Sequence, residues 1–79
     1  LHLNLFIQSR GHHEASWRHP RSSERPLTDI DYYRDLAQRA ERACLDSVFL
    51  ADQLNLPDDV AHAARTWLEP ITVLGALAV

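Results

Sequence analysis

The sequence predicts an α/β fold in the order β-α-β-α, with parallel strands and a sheet that two strands alone do not complete. Three observations carry that expectation. Residues 1–8, LHLNLFIQ, alternate as a strand does. Residues 28–44 place Tyr33, Leu36, Ala37, Ala40, Ala43 and Cys44 at helical spacing. Val48 to Ala51 form a continuous apolar run that stops at Asp52, the pattern of a strand covered on both faces. A helix between two strands makes a crossover, and a crossover makes the strands parallel.

In strand 1–8, Leu1, Leu3, Leu5 and Ile7 share one side, and His2, Asn4, Phe6 and Gln8 the other. Gly11 ends the alternation, and residues 9–27 read as a polar loop with prolines at Pro20 and Pro26. Loops beyond roughly 12–15 residues usually carry function or lack order. This one contains GHHEASWRHP, residues 11–20. The helix 28–44 opens with Thr28 and Asp31 at capping-box spacing, Asp standing in for the usual Glu. Asp29 and Asp31 put negative charge where the helix dipole favours it, and Asp35 and Arg39 form an i,i+4 pair. The small residues Ala37, Ala40 and Ala43 suit close packing on a sheet. Asp46 and Ser47 turn the chain into strand 47–52. A connection, 53–68, is expected to hold a short helix at 58–65, and Glu69 with Pro70 opens a last helix over 69–79. The unclosed sheet, the start at Leu1 and the apolar ending ITVLGALAV together predict the N-terminal piece, residues 1–79, of one larger domain.

Composition excludes several classes. The 79 residues allow one small domain, and 46% hydrophobic content is too high for disorder. There is no Lys; eight Arg are spread among eleven acids for a net charge of −3, which is no polyanion-binding surface, so nucleic acid is not an expected partner. The single Cys44 rules out an internal disulfide and suits a reducing cytoplasm, the expected location. The first apolar run is interrupted by His2 and Asn4 and does not read as a secretory leader. Ile71 to Val79 is far shorter than the ~20 residues that span a bilayer, so no membrane partner is expected.

Ligands of βα architectures bind beyond the carboxyl ends of the strands. The His-rich loop leaves strand 1 at that end and Asp52 closes strand 2 there, so both belong to one rim. His12, His13, Glu14 and His19 are competent metal ligands, but adjacent histidines on an extended chain point apart and the spacing matches no familiar site; no metal is expected. A neutral imidazole suits acid–base work, with surface histidines or histidines that satisfy backbone groups as the plain alternative. Trp17 either stacks on a planar ligand or anchors the loop. Asp52 either accepts hydrogen bonds from a ligand or caps the following segment. Cys44 reads as a small buried residue, and Tyr32 and Tyr33 as helix packing.

The ordered set HLNLFIQSRGHHEASWRHP, LTDIDYYRDLAQRAERACLDSVFLADQL and LEPITVLGALA resembles the opening of the bacterial-luciferase-like flavin monooxygenases. Its nearest likeness is to the subgroup of nitrilotriacetate monooxygenase, dibenzothiophene-sulfone monooxygenase and pristinamycin synthase. Leu45 stands where a Phe is expected before DSVF, a packing difference. The resemblance implies a (β/α)8 TIM barrel of which this chain supplies the first two βα units. It implies reduced FMN delivered by a separate flavin reductase, O2 as co-substrate, and oxygenation of a small organic substrate, possible C–N or C–S cleavage included. It implies that Asp52 lies at the flavin and that His12, Trp17 and His19 line the substrate pocket. The catalytic residues are not identified, and a homo-oligomer is expected of the full-length protein. Two other readings stand beside it: a non-catalytic βαβα interaction piece, and a His-rich metal-binding module.

Overall fold

A computed structural model describes residues 1–13, 15–52 and 68–79. The described residues form two strands, β1 (Asn4–Phe6) and β2 (Ser47–Phe49), and two helices, α1 (Ile30–Arg42) and α2 (Pro70–Leu77). A single 3-10 turn, Ser16–Arg18, lies in the loop after β1. The helix expected at 58–65 lies outside the described residues, as does Glu14.

The strands are parallel, in the register Asn4 to Ser47, Leu5 to Val48 and Phe6 to Phe49. Pairing extends past the ladder at both ends. The Ile7 amide donates to the Phe49 carbonyl at 2.9 Å, and the Asp46 amide donates to the Leu3 carbonyl at 2.8 Å. The Asp46 carboxylate also accepts from the Leu3 amide at 2.7 Å. Asp46, expected as a turn residue, thus locks the foot of the sheet with both its backbone and its side chain.

One face of the sheet is covered. Ile7, Tyr32, Tyr33 and Val73 form the buried core, with Leu5, Val48, Leu36 and Leu77 packed against it. Val73 is the most deeply buried, at 2% exposure. The other face is open: Phe6 is 41% and Phe49 54% exposed. The apolar run of β2 therefore finds cover on one side among the described residues, where the sequence predicts two.

The cap of α1 differs from the expected one. Asp29, not Thr28, is the N-cap; its carboxylate accepts from the Asp31 amide at 2.9 Å. An Asp one position before the first helical residue reaches the N2 amide, which satisfies a donor the helix leaves unpaired. The far end closes by a Schellman motif: the Leu45 amide donates to the Ala40 carbonyl and the Cys44 amide to the Glu41 carbonyl. That geometry puts Cys44 in the left-handed region, at φ 59, and on the surface. The buried Cys44 expected from helical spacing is corrected by this cap: the helix ends two residues earlier and the chain turns its side chain outward. In α2, Glu69 is the N-cap and accepts from the amides of Ile71 and Thr72 and from the Thr72 hydroxyl. These bonds hold its carboxyl below the usual range; the Thr72 hydroxyl contributes most.

Candidate functional site

The long loop is built on its tethers. Tyr32 and Tyr33 are adjacent on the first turns of α1, with rings edge to face at 5.3 Å. The Tyr32 hydroxyl donates to the Ser9 carbonyl and the Tyr33 hydroxyl to the Leu27 carbonyl, each at 2.7 Å. The loop 9–27 is thereby held at its first and last residues by one helix end. Burial pushes the Tyr32 phenol above its ordinary pKa, against a smaller opposing effect of Arg10. Burial raises the Tyr33 phenol as well, and Tyr32 adds to it. Both therefore stay protonated donors.

Arg10 braces the loop from within. Its Nε donates to the Ser23 carbonyl at 2.8 Å and its Nη2 to the Arg25 carbonyl at 2.7 Å. Between these ties the chain reverses at Ser9, φ 49, and Gly11, φ 142. The Gly11 amide donates to the Gln8 carbonyl at 2.9 Å. A Cβ on Gly11 would lie 2.7 Å from the Ser16 Oγ, so both its backbone angle and its lack of a side chain are used.

This turn throws His12 back over the sheet. Its ring meets Phe6 edge-on, with centroids 6.1 Å apart, and Phe6 lies 5.0 Å from Phe49. His12, Phe6 and Phe49 thus make a continuous aromatic surface on the open face, at the C-terminal ends of both strands. Asp52, exposed, follows just beyond the end of β2. Trp17 and His19 stand farther out. Trp17 sits in the 3-10 turn, 59% exposed, with the Arg18 guanidinium 4.9 Å above its ring. The Nδ1 of His19 accepts from the Arg21 amide at 3.1 Å, and that of His13 from the Ala15 amide at 3.0 Å. An imidazole that accepts at Nδ1 carries its proton at Nε2 when neutral, so both rings present an N–H outward.

The loop also forms a shallow concavity, on whose wall His13 and His19 meet Arg10, Arg18, Arg21 and Ser22. His19 is the only one of the expected pocket residues on that wall; His12 belongs to the aromatic surface and Trp17 to neither. No group of three His, Cys, Asp or Glu among the described residues is placed to hold a metal ion. Phe6, Phe49 and Arg10 are not among the site residues expected from the sequence. The alternation of β1 did set Phe6 opposite Leu5 and Ile7, which was a signal; nothing in the sequence marked Arg10 as a brace.

No family model matches the chain. Curated proteins do. Over 78 residues it is 42% identical to N-acetyl-S-(2-succino)cysteine monooxygenase of Bacillus subtilis (strain 168), covering 99% of this chain and 18% of the relative. It is 37% identical over 90 residues to nitrilotriacetate monooxygenase component A of Aminobacter aminovorans, covering 99% of this chain and 20% of the relative. A long-chain alkane monooxygenase of Geobacillus thermodenitrificans (strain NG80-2) is 37% identical over 60 residues, 73% of this chain and 14% of the relative. The chain spans about one fifth of the length of the first two. Every relative named here is a monooxygenase, and the aligned stretch holds the strands, the His-rich loop and both helices. Over nearly its whole length the chain is homologous to luciferase-like monooxygenases, the family its motifs resemble.

Proposed function

We propose that the full-length protein is the oxygenase of a two-component system, a (β/α)8 barrel that takes reduced FMN from a separate flavin reductase and oxygenates a small organic substrate with O2. The observation that carries this reading is the aromatic surface of His12, Phe6 and Phe49 at the C-terminal ends of two parallel strands. In a barrel, that face is the interior and that end holds the chemistry. The open edges and the uncovered face of the sheet support further βα units in the rest of the chain.

The residues present fit a flavin. Flat aromatic rings suit a planar tricycle, and a carboxylate and an imidazole beside them suit its polar edge. Reduced FMN, when bound, supplies the two electrons that let one atom of O2 enter the substrate while the other leaves as water. Asp52 would accept hydrogen bonds at the flavin edge. His12, on the aromatic surface, would hold an oxygen atom or a substrate group by hydrogen bonding. Trp17 would cover the site against water, and His19 would present Nε2–H to the substrate. Water exclusion matters because reactive species exposed to solvent are lost to side reactions. The substrate class includes compounds cleaved at C–N or C–S after oxygenation, and the enzyme is expected to work in the cytoplasm as a homo-oligomer.

Anaerobic titration of the full-length protein with reduced FMN, followed by oxygen-uptake assays with a flavin reductase, tests this reading. Saturable binding, weakened about tenfold or more by Asp52→Ala in a folded variant, is the expected result; loss of one hydrogen bond to a buried polar group corresponds to ~1–3 kcal/mol. No binding of reduced FMN to the wild type overturns it.

A further inference from the structure

Among its described residues, the concavity in the loop carries charge of one sign. Arg10, Arg18 and Arg21 line it with His13 and His19, and no acid lies on its wall among the described residues. None of these three arginines forms an ion pair among the described residues, whereas Arg34 and Arg39 on α1 pair with Asp31 and Asp35. Clustered guanidinium groups on a concave surface focus a positive potential and attract anions. The histidines add to it: each spends Nδ1 on a backbone amide and turns its Nε2 donor outward. Ser22, on the same wall, has a buried Oγ with no hydrogen-bond partner. A buried hydroxyl left unpaired costs free energy, and a ligand oxygen would satisfy it. Arg10 is committed to the loop carbonyls, so Arg18, Arg21 and Ser22 are the groups left to meet a ligand.

We infer that this concavity is an oxyanion-binding site, separate from the aromatic surface at the strand ends, which takes a carboxylate of the substrate or the phosphate of the flavin. A guanidinium matches either group through two parallel N–H donors. The identification of those two sources rests on the monooxygenase reading above; the oxyanion site itself rests on the concavity.

Isothermal titration calorimetry on the full-length protein separates the cases without any turnover. The probes are nitrilotriacetate, inorganic phosphate, oxidised FMN and riboflavin, each against wild type, Arg21→Gln and Ser22→Ala. Arg21→Gln is expected to weaken at least one oxyanion about tenfold, and Ser22→Ala to weaken the same probe severalfold. The wild-type affinity for that probe should fall steeply with added NaCl, as screening of an open charged site requires. A loss confined to nitrilotriacetate assigns the site to a substrate carboxylate. A loss for FMN and phosphate, with riboflavin unaffected, assigns it to the flavin phosphate. Oxyanion affinities equal to wild type in both folded variants overturn the site. Failure to bind reduced FMN under anaerobic conditions, with nitrilotriacetate binding still lost in Arg21→Gln, overturns the flavin-dependent reading and leaves the oxyanion site standing.

Discussion

The Tyr32 hydroxyl donates to the Ser9 carbonyl at 2.7 Å, bridging the start of α1 to the residue where the chain leaves β1 and reverses. Removing that hydroxyl leaves a carbonyl beside a left-handed backbone without its partner. Tyr32→Phe in the full-length protein is expected to cost about 1 kcal/mol, the usual worth of one such bond. Denaturant unfolding measures it, and hydrogen exchange should place the loosening in residues 9–27. Unchanged protection of the loop in the variant would show that Arg10 and Tyr33 hold it without Tyr32.

Cys44 occupies a position that favours glycine, with φ 59 at the end of α1. Cys44→Gly should relieve roughly 1 kcal/mol of left-handed strain, since glycine alone enters that region without a Cβ penalty. Cys44→Val should destabilise by more than that, because a β-branched residue is worse there. Thermal unfolding of the three proteins ranks them; an order other than Gly, Cys, Val contradicts the Schellman geometry.

At Gly11 an added methyl would meet the Ser16 Oγ at 2.7 Å and its Cβ at 2.9 Å. Gly11→Ala is expected to cost ~1–3 kcal/mol through backbone strain and to move the His12 ring off Phe6. The double variant Gly11→Ala with Ser16→Gly should regain only part of that loss, because space returns while φ remains unfavourable. Crystal structures of the two variants would read the His12 position directly.

Glu69 caps α2 in its charged form, and its pKa is lowered by the bonds it accepts. A carboxylate with a lowered folded pKa stabilises above its unfolded value and loses that contribution as pH falls through the folded one. Exchange of the Ile71 and Thr72 amides should therefore quicken as pH drops below the ordinary Glu range and stay flat, after correction for intrinsic rates, near neutrality. In Glu69→Gln the acid-dependent part should vanish.

On the proposed function, Trp17→Ala in the full-length protein should raise the hydrogen peroxide formed per reduced flavin consumed, because the apolar cover proposed for Trp17 would be lost. His19→Ala should lower product formation more than it lowers flavin binding. Peroxide and product yields measured side by side check both. Wild-type coupling in the two variants would make the loop a mere connection.

The order of elements was legible because each has its own periodicity: two-residue alternation in β1, a helical face in α1, an apolar run in β2. Their ends were less so. Thr28, Asp29 and Asp31 are all capping residues within four positions, and only backbone geometry decides that Asp29 takes the role. Helical spacing carried Ala43 and Cys44 onto the apolar face, but the Schellman turn overrides spacing at the last turn. The candidate site divides in the same way. That the loop and Asp52 share an end of the sheet follows from chain order, since both leave parallel strands on the carboxyl side. Which histidine faces what depends on the reversal at Ser9 and Gly11 and on Arg10 reaching Ser23 and Arg25, long-range matters that local pattern does not contain.

Both ends of the loop are fastened to one helix through main-chain carbonyls, at Ser9 and Leu27, and its interior brace also ends on carbonyls. Carbonyls exist whatever side chain a residue carries. The tethers therefore place almost no demand on the loop's own residue types beyond Arg10 and Gly11. Within the loop the side chains of His13, Ser16, His19 and Ser23 make only local hydrogen bonds, on which the strand register does not depend. The loop is thus a cassette: its fastening to helix and sheet is separable from most of its own side chains, so a stretch within it can be rewritten without refolding the rest.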